Sequence, residues 1–227
     1  ERDGFGSQLA EALEMADSED EALQVVERAM SAISTVSPME ILLADSSKAH
    51  LRRASEHPQA GAPCCPVESP FACVAVRRGN PVEFSNSEAL NACPKLRDRA
   101  GGPISAVCVP VTFMGRALGV LHASGNVGDR LSPEAVGQLT SLATQAGARI
   151  GTVRSFERSQ LQASTDGLTG LRNRRTIETE VRGALKDTGP MTVVLADLDH
   201  FKLLNDTYGH EAGDRALRQF AQLLDGS

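Results

Sequence analysis

Two carboxylates, Asp197 and Asp199, close the apolar run MTVVLADLD (191–199), and the stretch DLDHFKLLNDTYGHEAGD (197–214) continues from them. A Val- and Leu-rich run of this kind reads as a strand. Carboxylates at the end of a strand are hard oxygen ligands of the sort Mg²⁺ takes. Alternation along the strand sets Asp197 and Asp199 on one side and Leu198 on the other. His200, Phe201 and Lys202 open the turn that follows, where free backbone N–H groups can cradle phosphates. Asn205 and Asp214 offer an amide and a carboxylate that together can read a guanine edge, the carboxylate accepting from the N1 and N2 donors. Each residue taken alone has a plainer use, since Asn205, Asp206 and Gly209 are also good turn formers. The combination points to a nucleotide.

The elements that must position these groups belong to an ordinary globular chain of 227 residues, 41% hydrophobic and 23% charged, which is one or two domains and not a disordered tail. A formal net charge of -6 argues against nonspecific nucleic-acid binding. No apolar run approaches the roughly 20 residues that cross a bilayer, and no signal peptide is visible. The chain starts at Glu1, so trimming and an anchor further upstream are both open. Cys64, Cys65, Cys73, Cys93 and Cys108 are odd in number and irregular in spacing, which reads as free thiols in a reducing compartment and not as a disulfide framework.

EALQVVERAMSAI (21–33) has Leu23, Val26, Met30 and Ile33 at helical spacing, behind a capping-box pair, Ser18 and Glu21. MEILLAD (39–45) reads as a buried strand and HLRRASE (50–56) as its partner. In the irregular middle, GAPCCP (61–66) is followed by a short helix started by Ser69-Pro70 and ended by Gly79, then a short strand PVEFSN (81–86) and a loop and helix over 90–99. ISAVCVPVTF (104–113) and RALGVLHASG (116–125) flank Met114-Gly115 and make a hairpin, with Pro110 marking an edge or a bulge. A helix from Ser132-Pro133 to about Ala163 carries an imperfect heptad seam of Leu139, Leu142, Ala146, Val153 and Phe156, with Arg149 and Gln160 as defects. Its first half is expected to pack on its own domain and its second half to pair with another copy. Leu168 to Lys186 reads as a helix, and residues 213–224 as an amphipathic one. Arg77, Arg78, Arg97 and Arg99 read as solvated surface, and His122 as a hydrogen-bonded core or surface histidine rather than a ligand contact.

AVCVPVTFMGRALGVLHASG (106–125) and the closing SPEAVGQLTSLATQAGARI resemble the central hairpin and last helix of a GAF domain, over residues 18 to 152. Asp166-Gly167-Leu168-Thr169-Gly170-Leu171, then Asn173-Arg174-Arg175, then DLDHFKLLNDTYGHEAGD, resemble the start of a GGDEF domain, the family of diguanylate cyclases.

The resemblance implies an α/β (α+β) fold class. A helical segment (1–17) would precede a GAF antiparallel-sheet sandwich (18–152), a connecting helix (153–165) and the N-terminal part of a palm-like α/β GGDEF domain (166–227). It also implies roles. Asp197 would be catalytic and a metal ligand together with the Leu198 carbonyl, holding Mg²⁺ or Mn²⁺. Phe201 and Lys202 would lie at the triphosphate of GTP, Asn205 and Asp214 would bind guanine, and Asp206 would line the pocket. The implied function is condensation of two GTP to cyclic di-GMP across a homodimer formed by the GAF domain and connecting helix, in the cytoplasm. The GAF ligand is unassigned. The GGDEF motif itself is absent from the sequence, so the chain is expected to be an inactive fragment. The competing class is a non-catalytic GAF sensor or dimerisation module with a degenerate or structural GGDEF remnant. Redox or metal sensing by the cysteines stands as a third.

Overall fold

The computed structural model describes residues 2–33, 37–58, 63–186, 189 and 192–225. The described chain divides into two compact units, Glu1–Ser155 and Phe156–Ser227.

The first unit is built on five antiparallel strands in the order β2-β1-β5-β4-β3. These are β1 (Met39–Ala44), β2 (Leu51–His57), β3 (Val82–Phe84), β4 (Ser105–Phe113) and β5 (Arg116–Gly125). The expected β4–β5 hairpin forms, and both turn residues take positive φ, 48° at Met114 and 74° at Gly115, which matches the twist of the two arms. Pro110 lies past Cys108, the last β4 residue paired with β3, and one residue before a register shift at Val111/Thr112. Its missing N–H therefore falls where one side of β4 has no ladder.

Strand alternation sorts the apolar side chains onto two cores. Ile41, Leu43, Val107, Val109, Val111, Leu121 and Ala123 meet three helices on one face. These are α1 (Arg2–Glu14), α2 (Glu19–Ile33) and the first part of α4 (Pro133–Ser164). On the other face Leu42, Val82, Phe84, Ala106, Cys108 and Val120 are covered by the irregular segment, including Val67, Cys73, Cys93 and Leu96. That segment holds a 3₁₀ turn at Pro70–Ala72, the short α3 (Val74–Arg78) and a second 3₁₀ turn at Pro94–Leu96. Gly79 ends α3 in the left-handed region, as expected. The start of the cysteine stretch, 61–62, lies outside the described residues.

Capping explains the helix starts. Ser18 Oγ accepts from Glu21 N at 3.2 Å, but the returning Glu21 carboxylate takes Asp17 N at 2.7 Å, one residue earlier than a regular capping box. Ser132 Oγ accepts from Ala135 N and opens α4. The seam residues Leu139, Leu142, Ala146 and Val153 are all buried, whereas Phe156 is 64% and Leu161 63% exposed. Arg149, a defect in the heptad pattern, donates through Nε to Ala16 O at 2.7 Å. Arg154 grips Glu19 with two nitrogens, at 2.6 and 2.5 Å, and gives a third bond to Ala44 O at 2.8 Å. Both arginines tie α4 to the elements before it. Arg97 is exposed as expected, whereas Arg99 is half-buried. Arg97 donates to the carbonyls of Ala89 and Leu90, and Arg99 to those of Pro63 and Cys64, so both staple the irregular segment.

Two ionisable side chains are buried among the apolar ones of the sheet. Glu40 and His122 are 1% and 0% exposed and face each other as register partners on β1 and β5. Glu40 accepts from Cys65 N at 2.5 Å, and burial pushes its carboxyl above the usual range. His122 Nδ1 stands 3.2 Å from Cys108 Sγ, and its Nε2 is buried without a partner among the described residues. Burial, helped by the charge of Arg99, holds the imidazole down to about 4.

The second unit departs from expectation. The helix expected over 168–186 is shorter, α5 (Arg174–Ala184). It is preceded by a turn in which Asp166 Oδ1 accepts from Thr169 N, Thr169 Oγ1 and Leu168 N. These bonds, led by the Thr169 N–H, hold the Asp166 carboxyl below its usual range. The strand expected over 191–199 is not formed. Met191 lies outside the described residues, and 192–198 carries no ladder. An apolar run has no reason to stay a strand when nothing pairs with its N–H and C=O groups. Apart from an isolated bridge between Thr165 and Arg172, the regular elements of this unit among the described residues are helices, with α6 (Phe201–Tyr208) and α7 (His210–Asp225) closing it.

Asn173 joins two helix ends. Its Nδ2 donates to Ala163 O at 2.8 Å and its backbone N to Ser164 O at 2.9 Å, while Oδ1 accepts from Thr176 N at 3.0 Å. The last turn of α4 and the first turn of α5 are thus satisfied by one residue.

Two outcomes follow. Replacing Asn173 with Ala costs about 1–2 kcal/mol, the range for a lost N-cap and its neighbour bond. Asn173→Asp keeps the acceptor for Thr176 N and recovers part of it. Hydrogen exchange over residues 160–178 reads both, and equal protection in all three proteins would contradict the staple. For His122 the folded value lies below the ordinary 6.5, so its contribution is complete above pH 6.5 and is lost as pH falls to about 4. At pH 4.5 that loss is about 2–3 kcal/mol. Glu40 acts in the opposite sense, since its raised carboxyl favours the folded state as pH falls. Urea unfolding of the protein and of His122→Leu at pH 7 and 4.5 separates the histidine term. Parallel losses in the two proteins would show that His122 does not carry it.

Candidate functional site

The nucleotide-type residues sit on the segment from 197 to 214. Asp197 is exposed and Leu198 half-buried at the end of the unpaired run. The Leu198 carbonyl lies 3.4 Å from Phe201 N at the start of α6. Because no strand forms, the expectation that Asp197 and Asp199 share one strand face has no counterpart here. His200 adopts φ 58° and precedes α6. Phe201 is half-buried and Lys202 and Asp206 are exposed. The side chains of Asp197, Lys202 and Asp206 make no hydrogen bond or ion pair among the described residues.

The structure does bring Asn205 and the start of Asp214's turn together. Gly213 is buried against Asn205, and a Cβ there would stand 1.9 Å from Asn205 Oδ1 and 3.1 Å from Phe201 Cζ. Only glycine leaves room for the amide between α6 and α7. Asn205 Oδ1 is buried with no hydrogen-bond partner among the described residues. Buried polar atoms of this kind are few in native proteins and call for an explanation. Asp214, next in the chain and half-buried, has Arg218 Nη2 4.0 Å from its carboxylate. Gly209, with φ 82°, ends α6, and its N–H returns to Asn205 O at 2.8 Å. Asn205 and Asp214 therefore stand on adjoining helices, α6 and α7.

For a divalent metal, the donor chemistry fits in kind. The Asp197 carboxylate and Leu198 carbonyl are hard oxygens, and Mg²⁺ is commonly held by one or two carboxylates plus substrate phosphates. Among the described residues no group of three His, Cys, Asp or Glu is arranged to hold an ion. That applies to the cysteines as well, and all five are free thiols. Cys65 is pushed up to about 12 by burial, and burial raises Cys73 and Cys108 too, which favours their protonated thiol form. No described helix is long and apolar enough to cross a membrane.

His122 is the buried histidine that the sequence suggested, but sequence reasoning passed over its register partner Glu40. The available signal was a single charged residue inside the apolar run MEILLA, which a fully buried strand tolerates only with a partner.

Comparison with known proteins assigns the two parts. A GAF domain family model matches residues 16–150, and the family described as "Diguanylate cyclase, GGDEF domain" matches 163–227. The diguanylate cyclase DgcS of Shewanella oneidensis is 37% identical over 76 residues, 32% of this chain and 26% of that protein. The response regulator PleD of Caulobacter vibrioides is 46% identical over 66 residues, 27% and 14% of the two. An uncharacterised Streptomyces griseus protein encoded 5′ of hutH is 33% identical over 119 residues, 50% of this chain and 49% of its own. The chain thus spans half or less of the length of these relatives. Among solved structures, the GAF domain of a Coxiella burnetii phosphoenolpyruvate-protein phosphotransferase aligns with a TM-score of 0.56 at 14% identity, covering 69% of this chain and 96% of that one. That likeness concerns the fold of the first unit. The chain belongs to the GAF domain family, and its residues 163–227 match the model described as the diguanylate cyclase GGDEF domain.

Proposed function

We propose that the protein containing this chain is a GAF-regulated diguanylate cyclase that joins two GTP into cyclic di-GMP and releases two pyrophosphates. The observation that carries the reading is the coexistence, in one chain, of a GAF domain and a GGDEF segment whose Asp197, Asn205 and Asp214 are all present. The reaction needs two half-sites, one GTP in each, because a 3′-hydroxyl of one nucleotide attacks the α-phosphorus of the other.

In each half-site Asn205 and Asp214 hold the guanine edge, and the paired amide and carboxylate select it over adenine. The backbone at Phe201, together with Lys202, lies at the triphosphate, and Asp206 lines the pocket. Asp197 and the Leu198 carbonyl are the residues that would hold Mg²⁺ or Mn²⁺; when bound, the ion offsets charge on the phosphates and activates the nucleophile. Two such domains are brought face to face by a homodimer of the GAF domain and of the second half of α4, where Phe156 and Leu161 are exposed. The sensory input shifts the population of competent dimers. A GTP substrate places these domains in the cytoplasm. The 227-residue chain carries no GGDEF motif, and on this reading it does not turn over GTP alone.

The test is a GTP-to-cyclic-di-GMP assay with Mg²⁺ on the protein extended through its cyclase domain. Asp197→Asn removes a charged oxygen where phosphate charge must be balanced, and product formation falls by at least about 100-fold. Asn205→Ala and Asp214→Ala lower kcat/KM for GTP by about 10- to 100-fold, as loss of a base-edge bond does. An extended protein that binds GTP without making product would identify a degenerate domain instead, and unchanged kinetics in the Asn205 and Asp214 variants would remove them from the guanine site.

A further inference from the structure

Two glycines, four residues apart in the middle of α4, are the least expected residues of that helix. Gly costs about 1 kcal/mol relative to Ala in a helix interior. Gly147 and Gly151 are both buried, and their spacing puts them on one helix face.

Each is tight against the end of β4. A Cβ at Gly147 would lie 2.4 Å from the Thr112 carbonyl oxygen and 3.0 Å from Thr112 N. At Gly151 it would lie 2.1 Å from Phe113 Cγ and 2.5 Å from Phe113 Cβ. The helix backbone therefore rests directly on two consecutive residues of the strand. Those residues come just after the register shift at Val111/Thr112 and just before the turn at Met114-Gly115. On the same hairpin, Cys108 and His122 point to the other core. Beyond Val153 no residue of α4 is buried. Other ties on these turns include Arg149 to Ala16 and Arg154 to Glu19 and Ala44.

We propose that Gly147 and Gly151 form a seat through which the tip of the β4–β5 hairpin sets the stability of the exit segment of α4, residues 152–164. A shift of β4, whatever produces it on the far face of the sheet, cannot be absorbed by a side chain at this contact, because one partner is helix backbone and the other is strand backbone or the base of a ring. The displacement passes to the helix. The view of α4 as an output element rests on the cyclase reading. The contact and its test do not require cyclase activity, so failure of one is distinguishable from failure of the other.

Amide hydrogen exchange on the 227-residue protein tests the seat. Phe113→Ala removes the ring from Gly151 without adding bulk, and the amides of 152–164 then exchange about tenfold faster while those of 39–43 and 119–123 stay within about twofold. Gly151→Ala presses on the same contact from the helix side and gives the same pattern; if it does not fold, Phe113→Ala still decides. Met114→Ala, at the exposed tip of the turn, leaves 152–164 unchanged. Faster exchange confined to 111–116 and 147–151 in Phe113→Ala would overturn the proposal. So would an equal effect from Met114→Ala, since that would mean general loosening of the hairpin.

Discussion

Both faces of the five-stranded sheet are covered, and most of the first unit follows from that. A sheet with one wet face can send every second side chain to solvent. Here the alternate residues of β1, β4 and β5 must enter one core or the other, and β1 is buried along its whole length. The helix face takes branched aliphatics and small alanines. The opposite face takes thiols, an imidazole and a carboxylate, because irregular backbone covers it and supplies N–H groups such as that of Cys65. The Cys65 N–H answers the Glu40 carboxylate there, whereas His122 Nε2 has no partner among the described residues.

The second unit obeys the converse constraint. Residues 192–198 have strand composition but no ladder among the described residues, so they remain irregular, and 192–197 are exposed. Hydrophobic pattern alone does not make a strand; a ladder does. The helices of the same unit need no such partner, since their hydrogen bonds are internal. Thus α5, α6 and α7 form while the run between α5 and α6 does not.

Much of the first unit was legible because its signals are local. Ser18, Ser132, Gly79 and Met114-Gly115 mark helix and turn boundaries through their own backbone and side-chain chemistry. The two-motif pattern around Asp166 and Asp197 was legible for the same reason, and the Asn205–Gly213 contact adds geometry to it. What stayed hidden is tertiary. That Arg99 would fasten carbonyls 35 and 36 residues earlier cannot be inferred from a basic cluster. The pairing of Glu40 with His122 needs the strand order, which places β1 beside β5. The Gly147 and Gly151 contacts need the register of a hairpin tip against a helix.

The staple made by Asn173 gives the connecting region a phase. A helical residue advances by about 100°, and Asn173 grips the carbonyls of two particular residues, Ala163 and Ser164, whose azimuth is fixed by counting back along α4 to Val153. Lengthening that stretch by one residue would turn the grip by more than a quarter of a revolution, whereas seven residues would nearly restore it. The grip therefore fixes a position on the turn of α4 as well as a distance along it.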